Sequence, residues 1–144
     1  MRHLKEYVKA LPEHKIPEHY RWGETIGISL KDLHFPNICD CLHKNYANKV
    51  EPFPSDFDIT FFNKAQIQRY VVEYVEIKTS SFIMAQRFLD KERLLDLLDL
   101  KEVLKPIDII RVKNYNIVFN GHHRLAIKYM KSQRIIARVG IMEL

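Results

Sequence analysis

The residues with the clearest chemical potential lie in one short segment, 120–124, which reads Asn-Gly-His-His-Arg. A glycine lets the backbone approach a ligand closely, and Arg124 can donate two parallel hydrogen bonds to a phosphate or a carboxylate. His122 or His123 could pair with phosphate as an imidazolium, accept a proton when neutral, or bind a metal. These residue types in one turn predict an anion site, with phosphate as the expected ligand.

The segment is predicted to lie where a strand ends and a helix begins. Large apolar residues alternate along 115–120, which is typical of a β-strand, and apolar residues recur at helical spacing over 125–130. The N-terminus of a helix presents backbone N–H groups and favours negative charge. Adjacent side chains at a helix start point about 100° apart. We therefore expect either His122 or His123 to face the ligand and the other to pack or cap.

Catalysis at this turn would need a further group. A phosphoryl or phosphodiester reaction needs a carboxylate that binds a metal or accepts a proton. Glu73 and Glu76 lie in the first regular strand pattern but face opposite sides of the sheet, and Asp108 is a third candidate. Such carboxylates more often lie on a solvated face. The candidate catalytic residues are His122, His123 and Glu76.

Composition and charge restrict the class of protein. The chain has 144 residues, is 47% hydrophobic and carries a formal charge of +5, so it can bury one good core. The charge permits contact with a polyanion, but the basic residues are spread over the chain and could serve solubility alone. No apolar run approaches the roughly 18 residues of a membrane span, and the charged start lacks a signal-peptide pattern. We expect a soluble cytoplasmic protein with no membrane partner.

The two cysteines favour the same compartment. Only one residue separates Cys39 from Cys41, so a disulfide between them would be strained and a reducing environment fits. With His34 and His43 they could bind zinc, but the spacing is poor for a structural zinc site, and we predict no metal site. The alternative is a short helix over 38–46 with Cys39 facing the core.

Composition changes near residue 65. Residues 1–65 contain five of the six prolines and the only tryptophan, without a sustained period. They predict a helical and irregular extension, with a helix over 1–11, a helical turn over 29–33 and a linker over 51–56. The extension is too rich in aromatic residues for a disordered tail, so we expect it to pack on the second part or on a protein partner.

Residues 66–144 are more regular and predict an α+β fold, a small mixed sheet with packed helices. A helix follows Asp90, its predicted N-cap, and Lys113-Asn114 predicts a tight turn between two strands. Gly140 is predicted to end the last strand. The predicted strands are 70–77, 107–112, 115–120 and 134–139.

Three motifs in this part carry a family resemblance. Residues 85–87 are Ala-Gln-Arg, 104–107 are Leu-Lys-Pro-Ile and 121–124 are Gly-His-His-Arg. They resemble the Gln-Pro-Arg, Pro-Ile and Gly-Glu-Arg-Arg motifs of ParB, and the last also resembles the Gly-Cys-His-Arg box of sulfiredoxin. From about residue 72 to 139, the chain is similar to the ParB/sulfiredoxin superfamily.

The resemblance implies a fold that binds a nucleoside triphosphate, ATP or CTP with Mg²⁺, at the glycine turn. It places Gln86 and Arg87 beside the phosphates, with Arg87 complementing Arg124. The alternative for Arg124 is a salt bridge to the acidic helix predicted over 90–102. The full set of candidate phosphate-binding residues is Gln86, Arg87, Asn120, Gly121, His122, His123 and Arg124.

Three departures limit the activity that the resemblance implies. His122 replaces the sulfiredoxin cysteine, so we do not expect sulfinic acid reduction. ParB proteins continue into a helix-turn-helix and a dimer domain, whereas this chain ends at Leu144, so we do not expect centromere binding or clamp sliding. Free-serine kinases have Asp-Gly-His-His-Arg at this turn. Asn120 replaces that acid, and an amide cannot accept a proton as a carboxylate does.

Three functional hypotheses remain. The first is a nucleotide- and phosphate-binding ParB-like protein that binds or acts on nucleic acid, including a small nuclease. The second is a small-molecule phosphotransferase resembling the free-serine kinases. The third is a non-catalytic module of the same fold, with the aromatic N-terminal part as a protein-docking surface. The sequence favours the first and leaves open whether the protein is an enzyme.

Overall fold

The computed structural model describes residues 2–16, 25–38, 67–100, 105–112 and 114–142, and these form an α+β fold, as predicted. Short 3₁₀ turns cover Leu30–Leu33 and Thr79–Ser81. The helices and strands of the described residues are α1 (Arg2–Ala10), β1 (His14–Lys15), β2 (Ile26–Ser29), β3 (Ile67–Val75), β4 (Phe82–Met84), β5 (Phe88–Asp90), α2 (Lys91–Leu98), β6 (Ile107–Val112), β7 (Tyr115–Asn120), α3 (His122–Met130) and β8 (Ile135–Met142).

The larger sheet has five strands in the order β3-β8-β6-β7-β4. β3 is antiparallel to β8, β8 is parallel to β6, β6 is antiparallel to β7, and β7 is parallel to β4. The carboxyl end of β7 and the starts of β6 and β8 therefore lie at one edge of the sheet. Asp108 near the start of β6 lies opposite both Asn120 and Arg138 in the register. The glycine turn follows β7 at this edge.

Several predicted elements are confirmed. Strands β6 and β7 have the predicted bounds and form the predicted hairpin. Helix α2 begins after Asp90, whose side chain accepts a hydrogen bond from the Glu92 backbone N–H at 3.1 Å. Leu94 and Leu98 point from α2 into the core. The predicted helix over 1–11 is present as α1, and the turn over 29–33 as the 3₁₀ turn with Ser29 as N-cap.

The structure corrects the prediction that residues 1–65 are mainly helical and irregular, because it adds two strands to this part. Strands β1 and β2 lie there and join β5 in a second sheet, ordered β1-β2-β5 and antiparallel throughout. These strands are too short to show a period-two pattern in the sequence. Strand β2 pairs with β5 from Ser29↔Phe88 to Gly27↔Asp90, which joins the N-terminal part to the start of α2.

A second correction concerns Gly140, which was predicted to end the last strand. β8 continues through it to Met142, with Gly140 opposite Tyr70 of β3. A Cβ at this glycine would lie 3.1 Å from Ile67 Cγ2 and 3.2 Å from Tyr70 Cε1. Gly140 therefore makes room for two side chains of the neighbouring strand rather than ending its own.

One main hydrophobic core connects the two predicted parts of the chain. It includes Val8, Ile28 and Phe35 from the N-terminal part, together with Leu94 and Leu125 from the helices that follow. The described N-terminal residues therefore pack on the second part. No helix among the described residues is long and apolar enough to cross a membrane. The predictions for the helix over 38–46, the linker over 51–56 and the residues Cys39, Cys41 and His43 lie outside the described residues, apart from Ile38, which forms a β-bridge with Met84.

Candidate anion-binding site

The predicted glycine turn is present between β7 and α3. Gly121 is the N-cap of α3, with φ 97° and ψ 28°, in the left-handed region. A Cβ at this position would lie 2.5 Å from Ile107 Cγ2 and 2.8 Å from Arg124 Nη2. Both the backbone conformation and the close approach therefore require glycine here. The short distance to Nη2 also shows that the Arg124 guanidinium folds back over the turn.

The two histidines at the start of α3 are buried and accept hydrogen bonds from backbone N–H groups. The Ala85 N–H donates to His122 Nε2 at 3.0 Å, and the Asp90 N–H donates to His123 Nε2 at 2.9 Å. The side chains are only 3% and 7% exposed, respectively. A ring nitrogen that accepts an N–H bond carries no proton, so each neutral ring has its proton on Nδ1. The pair thus ties α3 to the end of β4 and to the end of β5.

His123 is held in its neutral form. Its pKa is lowered from 6.5 to about 3, mainly by burial and to a lesser extent by the positive charges of Arg93 and Arg124. The imidazolium alternative therefore does not hold for His123 near neutral pH. Because Nε2 accepts a backbone hydrogen bond, its lone pair is already engaged and is not placed to take a proton from a ligand.

Arg124 is anchored beside the turn. Its Nη1–H donates to the Pro106 carbonyl at 2.7 Å, at the residue before β6. Burial lowers the pKa of Arg124, the Asp108 carboxylate opposes this shift, and Arg93 adds to it. An arginine remains charged under these influences. The hydrogen bond thus goes to the start of β6 rather than to the acidic side chains of α2.

These groups surround one small cavity of about 210 Å³. Its volume is below the range of pockets that enclose a whole drug-sized molecule, roughly 300–1,000 Å³, and suits a phosphate group or two. The lining side chains include two arginines and no carboxylate, so the cavity is electropositive. The lining residues are Gln86, Arg93, Phe119, Asn120, Gly121, His122, His123 and Arg124.

Two lining amides are fixed by hydrogen bonds. Gln86 is 8% exposed, and its Nε2 donates to the Phe88 carbonyl at 2.8 Å. Asn120 is exposed, and its Nδ2 donates to Asp108 Oδ2 at 2.9 Å. Asp108 thus contacts Asn120 and acts electrostatically on Arg124 from beside the cavity.

Most of the predicted site residues meet in this cavity, but Glu76 and Arg87 do not line it. Glu76 is exposed just after β3, the edge strand separated from β7 by β8 and β6. Arg87 is exposed, and its carbonyl accepts the Leu30 N–H at 2.9 Å. Glu73 forms an ion pair with Arg111 at 2.5 Å. Among the described residues, no group of three or more His, Cys, Asp or Glu side chains could hold a metal.

Comparison with protein-family models and with curated proteins finds no match to this chain. The ParB/sulfiredoxin resemblance therefore stays a prediction from the three motifs.

Besides Phe119, Arg93 is the lining residue that the sequence did not predict. It lies in the first turn of α2, and its charge acts on both His123 and Arg124. The sequence signal was the N-cap Asp90, which fixes where α2 starts. That signal was insufficient alone, because tertiary packing, including the hydrogen bond from the Asp90 N–H to His123, brings the start of α2 to the glycine turn.

Proposed function

We propose that this protein binds a phosphate group, from a nucleotide or from a nucleic acid, in the cavity at the Gly121 turn. The observation that carries the proposal is the junction of a helix N-terminus with two arginines in one electropositive cavity. Gly121 provides no side-chain cap, so the positive end of the α3 dipole points at the cavity. Arg93 and Arg124 add two full charges. In this proposal the protein is a ParB-like protein that binds or acts on nucleic acid.

The arrangement favours binding over proton transfer. Both imidazole Nε2 atoms accept backbone hydrogen bonds, and the side chain of Asn120 is engaged with Asp108. A nuclease or a phosphotransferase needs a group that accepts a proton or positions a metal. Asp108 is a carboxylate beside the cavity, and it lies against Asn120 and Arg124.

The fit to a nucleoside triphosphate with Mg²⁺ can be judged from the same residues. The cavity suits one or two phosphate groups, with the rest of the ligand outside. Mg²⁺ usually keeps several waters and takes one or two carboxylates besides the phosphate oxygens. Around the cavity, the described residues provide more groups that bind phosphate than groups that bind Mg²⁺.

The test is calorimetric titration of the protein with ATP, CTP and inorganic phosphate. Because charged hydrogen bonds contribute about 1.5–3 kcal/mol, Arg93→Ala and Arg124→Ala should each weaken binding about tenfold or more. Arg69→Ala removes an exposed arginine of β3 outside the cavity. It is the matched control and should leave the affinity for mononucleotides unchanged. Equal affinity of the wild type and both cavity variants would contradict the proposal and leave protein contact as the remaining hypothesis.

A further inference from the structure

The outer face of β3 and β8 carries two exposed tyrosines, each covered by an arginine. The Arg138 guanidinium carbon lies 4.3 Å from the centroid of the Tyr70 ring, and that of Arg134 lies 5.4 Å from the Tyr74 ring. Tyr70 and Tyr74 are 48% and 66% exposed, and Val72 between them is 65% exposed. We call these five residues the tyrosine–arginine face.

The tyrosines of this face are not needed by the hydrophobic core. Side chains alternate along a strand, so Tyr70, Val72 and Tyr74 share the outer side of β3 while Val71 and Val75 point inward and pack on the main core. A contiguous exposed patch of large apolar side chains is a feature of interaction surfaces. We therefore treat the row of Tyr70, Val72 and Tyr74 as a candidate binding surface.

The chemistry of the face identifies the ligand class. Unpaired nucleobases stack on aromatic rings and on planar guanidinium groups, and the same arginines attract the phosphate backbone. A duplex keeps its bases stacked inside and offers only its phosphates and groove edges. The formal charge of +5 favours a polyanion over a neutral or basic partner. We propose that the tyrosine–arginine face binds unpaired bases of a single-stranded nucleic acid.

The dimensions of the face suit several bases. Tyr70 and Tyr74 are four residues apart, which corresponds to about 13 Å along a strand. In both contacts the guanidinium carbon lies over the tyrosine ring, and both arginines are exposed, so each pair offers a ring and a planar cation to a base. One base can thus stack on the rings and planar groups of the Tyr70–Arg138 pair and another on those of the Tyr74–Arg134 pair, with Val72 as the apolar contact between them.

The sheet register connects this face to the anion-binding cavity. Val72 is opposite Arg138, Arg138 is opposite Asp108, and Asp108 is opposite Asn120, which lines the cavity. Strands lie about 4.8 Å apart, so Arg138 and Asn120 are separated by two strand spacings. One strand of nucleic acid could therefore place bases on the face and a phosphate in the cavity. The face itself does not depend on the cavity being occupied.

The experiment measures fluorescence anisotropy of labelled oligo-dT, oligo-U and a duplex of the same length. Both single strands should bind more tightly than the duplex. The double variant Tyr70→Thr/Tyr74→Thr keeps β-branched strand formers but removes both rings. Since each base stack contributes about 1–3 kcal/mol, it should weaken single-strand binding at least tenfold. A difference between oligo-dT and oligo-U would assign the strand to DNA or RNA.

Two further variants separate stacking from charge. Arg138→Lys keeps the charge but removes the planar group, so it should weaken binding while leaving the salt dependence nearly unchanged. Tyr7→Ala removes a tyrosine that is 42% exposed on α1 and should not affect binding. Far-UV circular dichroism of each variant tests whether the fold is retained.

Three outcomes would overturn the inference. The first is single-strand affinity that the double tyrosine variant leaves unchanged, and the second is tighter binding of the duplex. The third is a wild-type dimer in light scattering that becomes a monomer in the double variant, with oligonucleotide affinity unchanged. The face would then join two copies of the chain through β3. Arg124→Ala, measured with the same oligonucleotides, distinguishes this inference from the proposed function. If the tyrosine substitutions still weaken single-strand binding in the Arg124→Ala background, the face is supported even where ATP and CTP fail to bind.

Discussion

The Gly121 cavity and the tyrosine–arginine face are both candidate binding surfaces, but the fold holds them in opposite ways. In the cavity, buried histidines accept backbone hydrogen bonds from Ala85 and Asp90, and a glycine is enclosed by Ile107. On the face, exposed rings contact exposed arginines. We infer that binding and folding are coupled in the cavity and separable on the face. Substitutions should therefore differ in their effect on the free energy of unfolding.

Gly121→Ala should have the largest effect. A left-handed conformation costs a non-glycine residue about 1–2 kcal/mol, and overpacking typically adds 1–3 kcal/mol. We expect a loss of about 3 kcal/mol or more in the free energy of unfolding, measured by urea denaturation, together with loss of phosphate binding. The control is Gly140→Ala, where the nearest side-chain atom would be 3.1 Å away and the backbone is not left-handed. Equal losses for the two variants would refute the special requirement at Gly121.

His122→Ala should have the next largest effect. Removing the imidazole leaves the buried Ala85 N–H without its acceptor, which costs about 1–3 kcal/mol, in addition to the cavity created. His122→Gln, whose side-chain oxygen can accept from the same N–H, should recover part of the loss in urea denaturation. A glutamine variant as unstable as the alanine variant would show that packing of the ring, rather than the hydrogen bond, stabilises the turn.

The length of each element explains which parts of the molecule could be predicted from the sequence. The elements β6, β7 and α3 and the glycine turn follow from long alternating or helical patterns, so residue types alone located the turn. Strands β1, β4 and β5 have two or three residues each and carry no pattern. Their positions depend on pairing with distant strands, so the partners of the histidines and the approach of Arg93 could not be predicted.

The protonation state of the two histidines could not be predicted from the sequence for the same reason. A histidine has an ordinary pKa near neutrality, so its residue type does not decide between an imidazolium and a neutral ring. Burial under β5 and α2, and the charges of Arg93 and Arg124, decide it for His123. The sequence therefore identifies His123 as a candidate site residue, but the protonation state of its ring depends on tertiary structure.

The depressed pKa of His123 predicts a pH dependence of stability. Between pH 6.5 and about 3, the unfolded chain binds a proton at this residue and the folded protein does not. The free energy of unfolding should thus fall as the pH falls through this window, by at most about 1.4 kcal/mol per pH unit. Urea denaturation at several pH values measures the slope. His123→Gln has no titrating ring and should show a smaller slope, and equal slopes would contradict a neutral buried His123.

Tyr74→Thr should have the smallest effect on folding. An exposed cation–π contact contributes about 0.5–1 kcal/mol, and the ring of Tyr74 is 66% exposed with the arginine at 5.4 Å. Threonine keeps the preference for a strand, so urea denaturation should show a loss below about 1 kcal/mol. A loss as large as that of His122→Ala would mean that the face also supports the fold. Weaker oligonucleotide binding by the tyrosine variants could then reflect partial unfolding, and the separation between the two surfaces would fail.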